Sequence, residues 1–180
     1  MVFERLVVGE LESNCYVLKS VGIGIIIDPG AEPDRIMSAA SGVEIQLILA
    51  THRHYDHVDA LIEVKKATGA QAAIHFLDWL HGFDLRLQDG QIIKFGHEQI
   101  TVLHTPGHTP GGCCFLIGAD LFSGDTLFPG GHGNVSFRGG DQQAILKSIK
   151  EKLLVLPDKT KVHPGHGPAT TIGQERSLYQ

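Results

Sequence analysis

The stretch Ala50-Thr51-His52-Arg53-His54-Tyr55-Asp56-His57 follows directly on the short apolar run Ile45–Leu49. A run of that length, bounded by polar residues, reads as a buried strand. The octapeptide after it is therefore chain leaving a sheet edge. Two histidines at i and i+2 of an extended segment point the same way. Asp56 and His57 come past a turn and can face a different point, so one loop can supply ligands to two separate metals. Imidazole and carboxylate suit zinc, iron or manganese. A lone His in a loop is ordinarily just a loop residue. Four such groups within six positions are hard to explain by packing, because a charged Asp is not buried there unpaired.

Further candidates stand at the ends of other strand-like runs. His108 lies in His104-Thr105-Pro106-Gly107-His108-Thr109-Pro110-Gly111, Asp125 in Phe122-Ser123-Gly124-Asp125-Thr126, and His166 in His163-Pro164-Gly165-His166-Gly167-Pro168. Gly or Pro precedes each, as expected where a chain turns sharply at a strand end. A shared rim of strand ends collects all seven groups.

The rest of the chain supports that geometry. Strands are expected at Phe3–Val8, Asn14–Leu18, Ile23–Ile27, Ile45–Leu49, Gln71–Ile74, Gln91–Phe95, Gln99–Leu103 and Lys161-Val162. Cys113–Ile117 and Asp120–Phe122 flank Gly118-Ala119 as a hairpin. Helices are expected from Pro33 to Ala40, over Asp59–Thr68, and over Asp141–Leu156, where Ile145, Leu146, Ile149, Leu153 and Leu154 keep helical spacing. Strands and helices alternate in both halves, the pattern of sheets covered by helices.

Composition sets the outer limits. The 180 residues fit one domain. Fifteen Lys+Arg against twenty Asp+Glu leave a net charge of −5, against a broad basic face for nucleic acid. No apolar run reaches membrane-spanning length, and Met1-Val2-Phe3-Glu4-Arg5 does not open a secretory signal. Cys15, Cys113 and Cys114 read as reduced thiols, not a disulfide framework, and a cytoplasmic location is expected. Eleven histidines against three cysteines favour hard or borderline metal chemistry.

In these residues the chain resembles the metallo-β-lactamase fold superfamily. The H-x-H-x-D-H signature is matched by His52, His54, Asp56 and His57, and the later His, Asp and His by His108, Asp125 and His166. The likeness runs from Asn14-Cys15-Tyr16 and Asp28-Pro29-Gly30 to His163-Pro164-Gly165-His166-Gly167. It implies an α/β fold, an αββα sandwich of two mixed sheets flanked by helices, with the metal site at one edge. It implies further that His52, His54 and His108 hold a first divalent ion and Asp56, His57 and His166 a second, with Asp125 bridging. Zinc is expected, with iron or manganese as alternatives. Asp56 and Asp28 are the acids carried over to catalysis, Asp28 by orienting ligands or water from behind. His75, His81, His97, His104, His132 and His163 are left to structure or surface, with His132 the one nearest the site in sequence.

The bridging Asp125 together with His57 is similar to glyoxalase II-like hydrolases. Many relatives follow the bridging acid with Gly-Arg-x-Asp; here Gly133 is followed by Asn134-Val135-Ser136. No helical domain for glutathione follows either, so residues 1–180 are expected to form one domain. Two divalent ions, two aspartates and a bridging hydroxide leave a nominal +1, which suits a carbonyl becoming an oxyanion. The expected activity is hydrolysis of a thioester, whose thiolate departs with little proton donation. The alternatives are a mononuclear iron persulfide dioxygenase, a lactonase or phosphodiesterase on the same ligands, or a binding module that has lost activity. A small-molecule substrate is expected, without nucleic acid or membrane. Within Phe128–Gly140, Arg138 reads first as a surface residue and second as a contact for an anionic substrate.

Overall fold

The computed structural model describes residues 1–179. The first six strands are β1 (Val2–Val8), β2 (Ser13–Ser20), β3 (Ile23–Ile27), β4 (Glu44–Leu49), β5 (Gln71–His75) and β6 (Leu85–Leu87), hydrogen-bonded in sequence order. β1 to β3 form an antiparallel meander and β3 to β6 are parallel. The parallel crossovers carry α1 (Pro33–Ala39), α2 (Tyr55–Val58) and α3 (Leu61–Thr68).

A second six-stranded sheet holds β7 (Ile92–Phe95), β8 (Glu98–His104), β9 (Cys113–Ile117), β10 (Asp120–Gly124), β11 (Lys161–Pro164) and β12 (Thr170–Thr171), again in chain order across the sheet. β10 and β11 are parallel, joined through α4 (Gln142–Ser148); α5 (Ile172–Glu175) follows β12.

The near-continuous apolar strands are explained by burial on both faces. In β3, Ile25 and Ile27 point between the sheets with Leu18, Leu49, Val102, Phe115 and Phe122. Ile26 points the other way, joining Ile48, Ile36 and Val64 under α1 and α3. In β9, Cys113 faces the inter-sheet core and Cys114 the layer under α4, with Ile145 and Ile149. The alternation separates the adjacent cysteines, and all three thiols are free and buried. The result is the expected order helix, sheet, sheet, helix.

Three local readings change. The segment taken as a loop after β4 contains the single turn α2, and the helix expected from Asp59 begins at Leu61. The helix expected over Asp141–Leu156 is α-helical only to Ser148. It widens to a π turn over Ile149–Leu153, where Leu154 N–H donates to Ile149 O at 2.8 Å. The wider turn still keeps Ile149 and Leu153 in the core. β6, β12 and α5, two to four residues each, are too short to show periodicity. No helix among the described residues is long and apolar enough to cross a membrane.

Candidate metal centre

All seven predicted ligands meet at one rim of the two sheets. His52 and His54 leave β4 in extended chain, and α2 then turns Asp56 and His57 toward a second point. His108 sits between β8 and β9, Asp125 directly after β10, and His166 directly after β11.

The ring nitrogens converge in two groups. His52 Nε2 lies 3.1 Å from His54 Nδ1, which lies 2.9 Å from His108 Nε2. His57 Nε2 and His166 Nε2 are 3.3 Å apart, with Asp56 Oδ2 at 3.3 and 3.1 Å from them. Ligands of one tetrahedral ion, each at about 2.0–2.1 Å, stand about 3.3 Å apart. Asp125 lies between the groups: Oδ2 is 3.4 Å from His108 Nε2 and 3.8 Å from His166 Nε2, and Oδ1 is 3.5 Å from His57 Nε2. Asp125 Oδ1 is buried with no hydrogen-bond partner among the described residues. An orphaned carboxylate oxygen between two imidazole clusters is what a pair of cations would satisfy. Gly165 makes this approach possible, since a Cβ there would overlap Asp125 Oδ1 and come within 2.7 Å of His57 Cε1.

The far sides of the rings are tied down. His57 Nδ1–H donates to Asp28 Oδ2 at 3.0 Å, His108 Nδ1–H to Asn134 O at 2.7 Å, and His166 Nδ1–H to Leu11 O at 3.0 Å. His52 Nδ1 is 3.0 Å from Thr51 Oγ1, whose own proton goes to Asp28 Oδ2 at 2.7 Å. Each bond fixes the tautomer that leaves Nε2 free to face the centre. Asp28, His52 and His57 also lie close together. Asp28 is a partner there and not a ligand, because Thr51 N–H, Thr51 Oγ1 and His57 already occupy its oxygens. Its backbone is left-handed (φ 54°), and Gly30, two residues on, is needed because a Cβ there would collide with the Asp56 carbonyl.

Protonation follows the same division. Burial, then the neighbouring rings of His57, His108 and His54, push His52 well below the ordinary histidine range. Burial also lowers His54. Burial works against charge on His57 too, but Asp125, Asp28 and Asp56 outweigh it and hold that ring well above the usual value. The bond to Asp56 raises His166. Burial would raise Asp56, yet bonds from His166, His57 and Ser13 hold it far below the carboxylate range.

The sequence profile of the metallo-beta-lactamase superfamily matches residues 8–166. The chain belongs to that superfamily. Hydroxyacylglutathione hydrolase GloC of Haemophilus influenzae is 33% identical, over 98% of this chain and 95% of its own. Among solved structures, BLEG-1 B3 metallo-beta-lactamase superposes with TM-score 0.90 at 33% identity, over 98% of this chain and 97% of that one. ETHE1 from Myxococcus xanthus gives 0.92 at 27% identity, over 99% and 83%. TTHA1623, solved in a di-iron-bound form, gives 0.85 at 34% identity, over 96% of each chain. The superfamily fold together with this His/Asp cluster fits a dinuclear metal site and a metallo-hydrolase.

A cleft of about 510 Å³ opens over the superfamily centre, with Leu11, Arg53, Tyr55, Phe137 and Arg138 around the ligands. His132 takes no part in it: its ring is tied to Gly133 O and Gln142. The stretch Phe128–Gly140 contributes instead through Asn134 O behind His108, and through Phe137, whose ring meets His54 edge-on at 5.6 Å. Asp78 went unread in the sequence. Fully buried after β5, it accepts from Gly111 N–H at 2.9 Å, Thr109 Oγ1 at 2.5 Å and Arg53 N–H at 3.3 Å.

Proposed function

We propose that the chain is a dinuclear metal-dependent hydrolase of thioesters. The observation that carries this reading is the orphaned Asp125 Oδ1 between two complete three-ligand groups. His52, His54 and His108 would hold one ion, Asp56, His57 and His166 the other, and Asp125 would be shared. Two ions held there would supply hydroxide at neutral pH and an electrophile for the carbonyl oxygen. Zinc is the proposed metal from the imidazole and carboxylate donor set, and the di-iron form of TTHA1623 makes iron its competitor.

The residues around the ligands hold them ready. Asp28 keeps His57 and, through Thr51, His52 in the ligating tautomer. Ser13 Oγ–H donates to Asp56 Oδ2 at 2.8 Å, steadying that carboxylate. In the overall reaction water adds its oxygen to the acyl carbon and the C–S bond breaks. A thiolate whose conjugate acid has a pKa of about 8.5 leaves without needing a dedicated proton donor. The products are a carboxylic acid and a thiol, so no oxidant is required. The name of GloC supports a thioester substrate, and a small molecule is the proposed partner. The three buried free thiols suit a reducing compartment, and we place the protein in the cytoplasm.

The test is chelation of the purified protein, metal analysis, and assay of acyl thioesters by release of free thiol. Activity should vanish with the metal and return with zinc, and Asp125→Ala should lose metal and turnover together. Thioester cleavage that survives complete metal removal overturns the mechanism. Oxygen uptake on a persulfide by iron-loaded protein, or opening of a β-lactam, without thioester cleavage replaces the reading.

A further inference from the structure

Arg53 stands between two ligands in sequence, yet its side chain is built into the wall of the cleft. Its Nε lies 3.9 Å from buried Asp78 Oδ1, and its Nη2 donates to Arg138 O at 3.3 Å. Gly139, at φ 93°, packs beside it: a Cβ there would stand 3.2 Å from Arg53 Nη2. The guanidinium is thus held from behind, while its Nη1 has no protein partner among the described residues. Arg138 lines the same cleft, and its guanidinium likewise has no protein partner among the described residues. Asp78 offsets the charge of Arg53, and among the described residues no acid pairs with Arg138. The acids that line the cleft, Asp56 and Asp125, are the proposed metal ligands.

Apart from these cations and the proposed ligands, the cleft lining is apolar. Leu11, Tyr55 and Phe137 are large, substantially exposed side chains that converge on one cavity. Exposed apolar groups gathered in a cleft of this size mark a binding surface, and scattered ones do not. A pre-oriented guanidinium fork with free N–H groups beside such a wall fits a planar or tetrahedral anion.

We propose that Arg53 and Arg138 form an anion subsite, so that the substrate carries a carboxylate or phosphate on an arm crossing the Leu11, Tyr55 and Phe137 wall. The reactive group of that substrate rests on the thioesterase reading; the anion subsite does not. Arg53 also links Asp78 to the cleft, with Nε 3.9 Å from that carboxylate and Nη2 on Arg138 O.

The test pairs hydrolysis with binding on metal-loaded protein. Two acyl thioesters of equal length, one ending in carboxylate and one in its methyl ester, are compared in wild type, Arg53→Gln and Arg138→Gln. Non-hydrolysable thioethers ending in carboxylate, methyl ester or phosphonate are titrated by calorimetry. Wild type should favour the carboxylate over its ester about 10-fold or more in kcat/KM and in Kd. Each substitution should cut that ratio about 10-fold, and high salt should do the same. If no thioester is cleaved while the charged thioethers keep an arginine-dependent preference, the reaction falls and the subsite stands. Tighter binding of phosphonate than carboxylate identifies a phosphate source. Equal binding of charged and neutral thioethers by wild type overturns the subsite, as does a preference that survives both substitutions.

Discussion

Two buried carboxylates stand behind the candidate metal centre, and they do different work. Asp28, 1% exposed, follows β3 and reaches only the neighbouring loop after β4, where it takes protons from His57, Thr51 Oγ1 and Thr51 N–H. Asp78, 0% exposed, follows β5 but also reaches the loop between β8 and β9 of the other sheet. It makes no hydrogen bond to an imidazole among the described residues. Its partners are the backbone of Arg53 and Gly111 and the hydroxyl of Thr109, which flank His52, His54 and His108. One acid fixes the ring tautomers of His57 and, through Thr51, His52, and the other ties together the loops that carry the proposed ligands. Ligand chemistry and ligand position are thus held by separate charges, and separate substitutions will tell them apart.

The largest effect is expected from Asp78→Ala, and it should fall on stability. The substitution leaves Arg53 N–H, Gly111 N–H and Thr109 Oγ1 without an acceptor in a sealed space and removes the acid beside the Arg53 guanidinium. Breaking a buried charged cluster from one side costs about 3–5 kcal/mol, and the partly exposed Arg53 places this case near 3. Urea unfolding of the metal-free protein should show that loss as a lower midpoint at unchanged slope. A midpoint equal to wild type would mean that Asp78 does not clasp the sheets.

Asp28→Asn should act on metal first. The amide can keep the bond from Thr51 N–H, but its NH2 group would face His57 Nδ1. His57 would then carry its proton on Nε2, the nitrogen aimed at Asp56 and His166. Affinity for the second ion should fall about 10–100-fold, the usual cost of removing such a partner. Competition against a chromophoric chelator measures it. Two equivalents bound at wild-type affinity would remove Asp28 from the centre and erase its contrast with Asp78.

The contrast also explains what the sequence could and could not reveal. The seven proposed ligands were legible because metal chemistry demands particular side chains, and Gly or Pro marks where the strands end. Asp28 was legible only through the resemblance, which implies an acid behind the site; its Asp-Pro-Gly setting by itself reads as a turn. Asp78 was not. Its partners are mostly backbone N–H groups 25 and 33 residues away, which every residue except proline possesses, and its neighbours Phe76, Leu77 and Trp79 look like an ordinary apolar run. Arg53 carries no sequence signal of its place in the cleft wall, since the Asp78 carboxylate and Arg138 carbonyl beside it are far along the chain. The layered fold could be read from the alternation of strands and helices in both halves and from the resemblance carried by the ligand motifs. The turn α2 and the π turn after α4 could not, because one turn has no period and apolar residues three and four apart read as one continuous α-helix.

The finest division lies at Thr51, where the influence of Asp28 branches. Its hydroxyl accepts from His52 Nδ1–H and donates to Asp28 Oδ2, whereas its N–H donates to Asp28 Oδ1 on its own. Thr51→Val removes the hydroxyl and keeps the volume. That matters because Gly124, at the end of β10, packs so closely that a Cβ there would come within 3.0 Å of Thr51 Cγ2. The direct bond from His57 to Asp28 is untouched by the change. One neutral hydrogen bond contributes about 0.5–1.5 kcal/mol, or about 2- to 12-fold in affinity. The loss should therefore be of that size and confined to the ion held by His52, His54 and His108. Stepwise loading with cobalt, read from the spectra of the two sites, separates the ions. A larger loss at the site of His57 and His166 would show that Asp28 acts on both groups as a unit, and that its influence does not branch at Thr51.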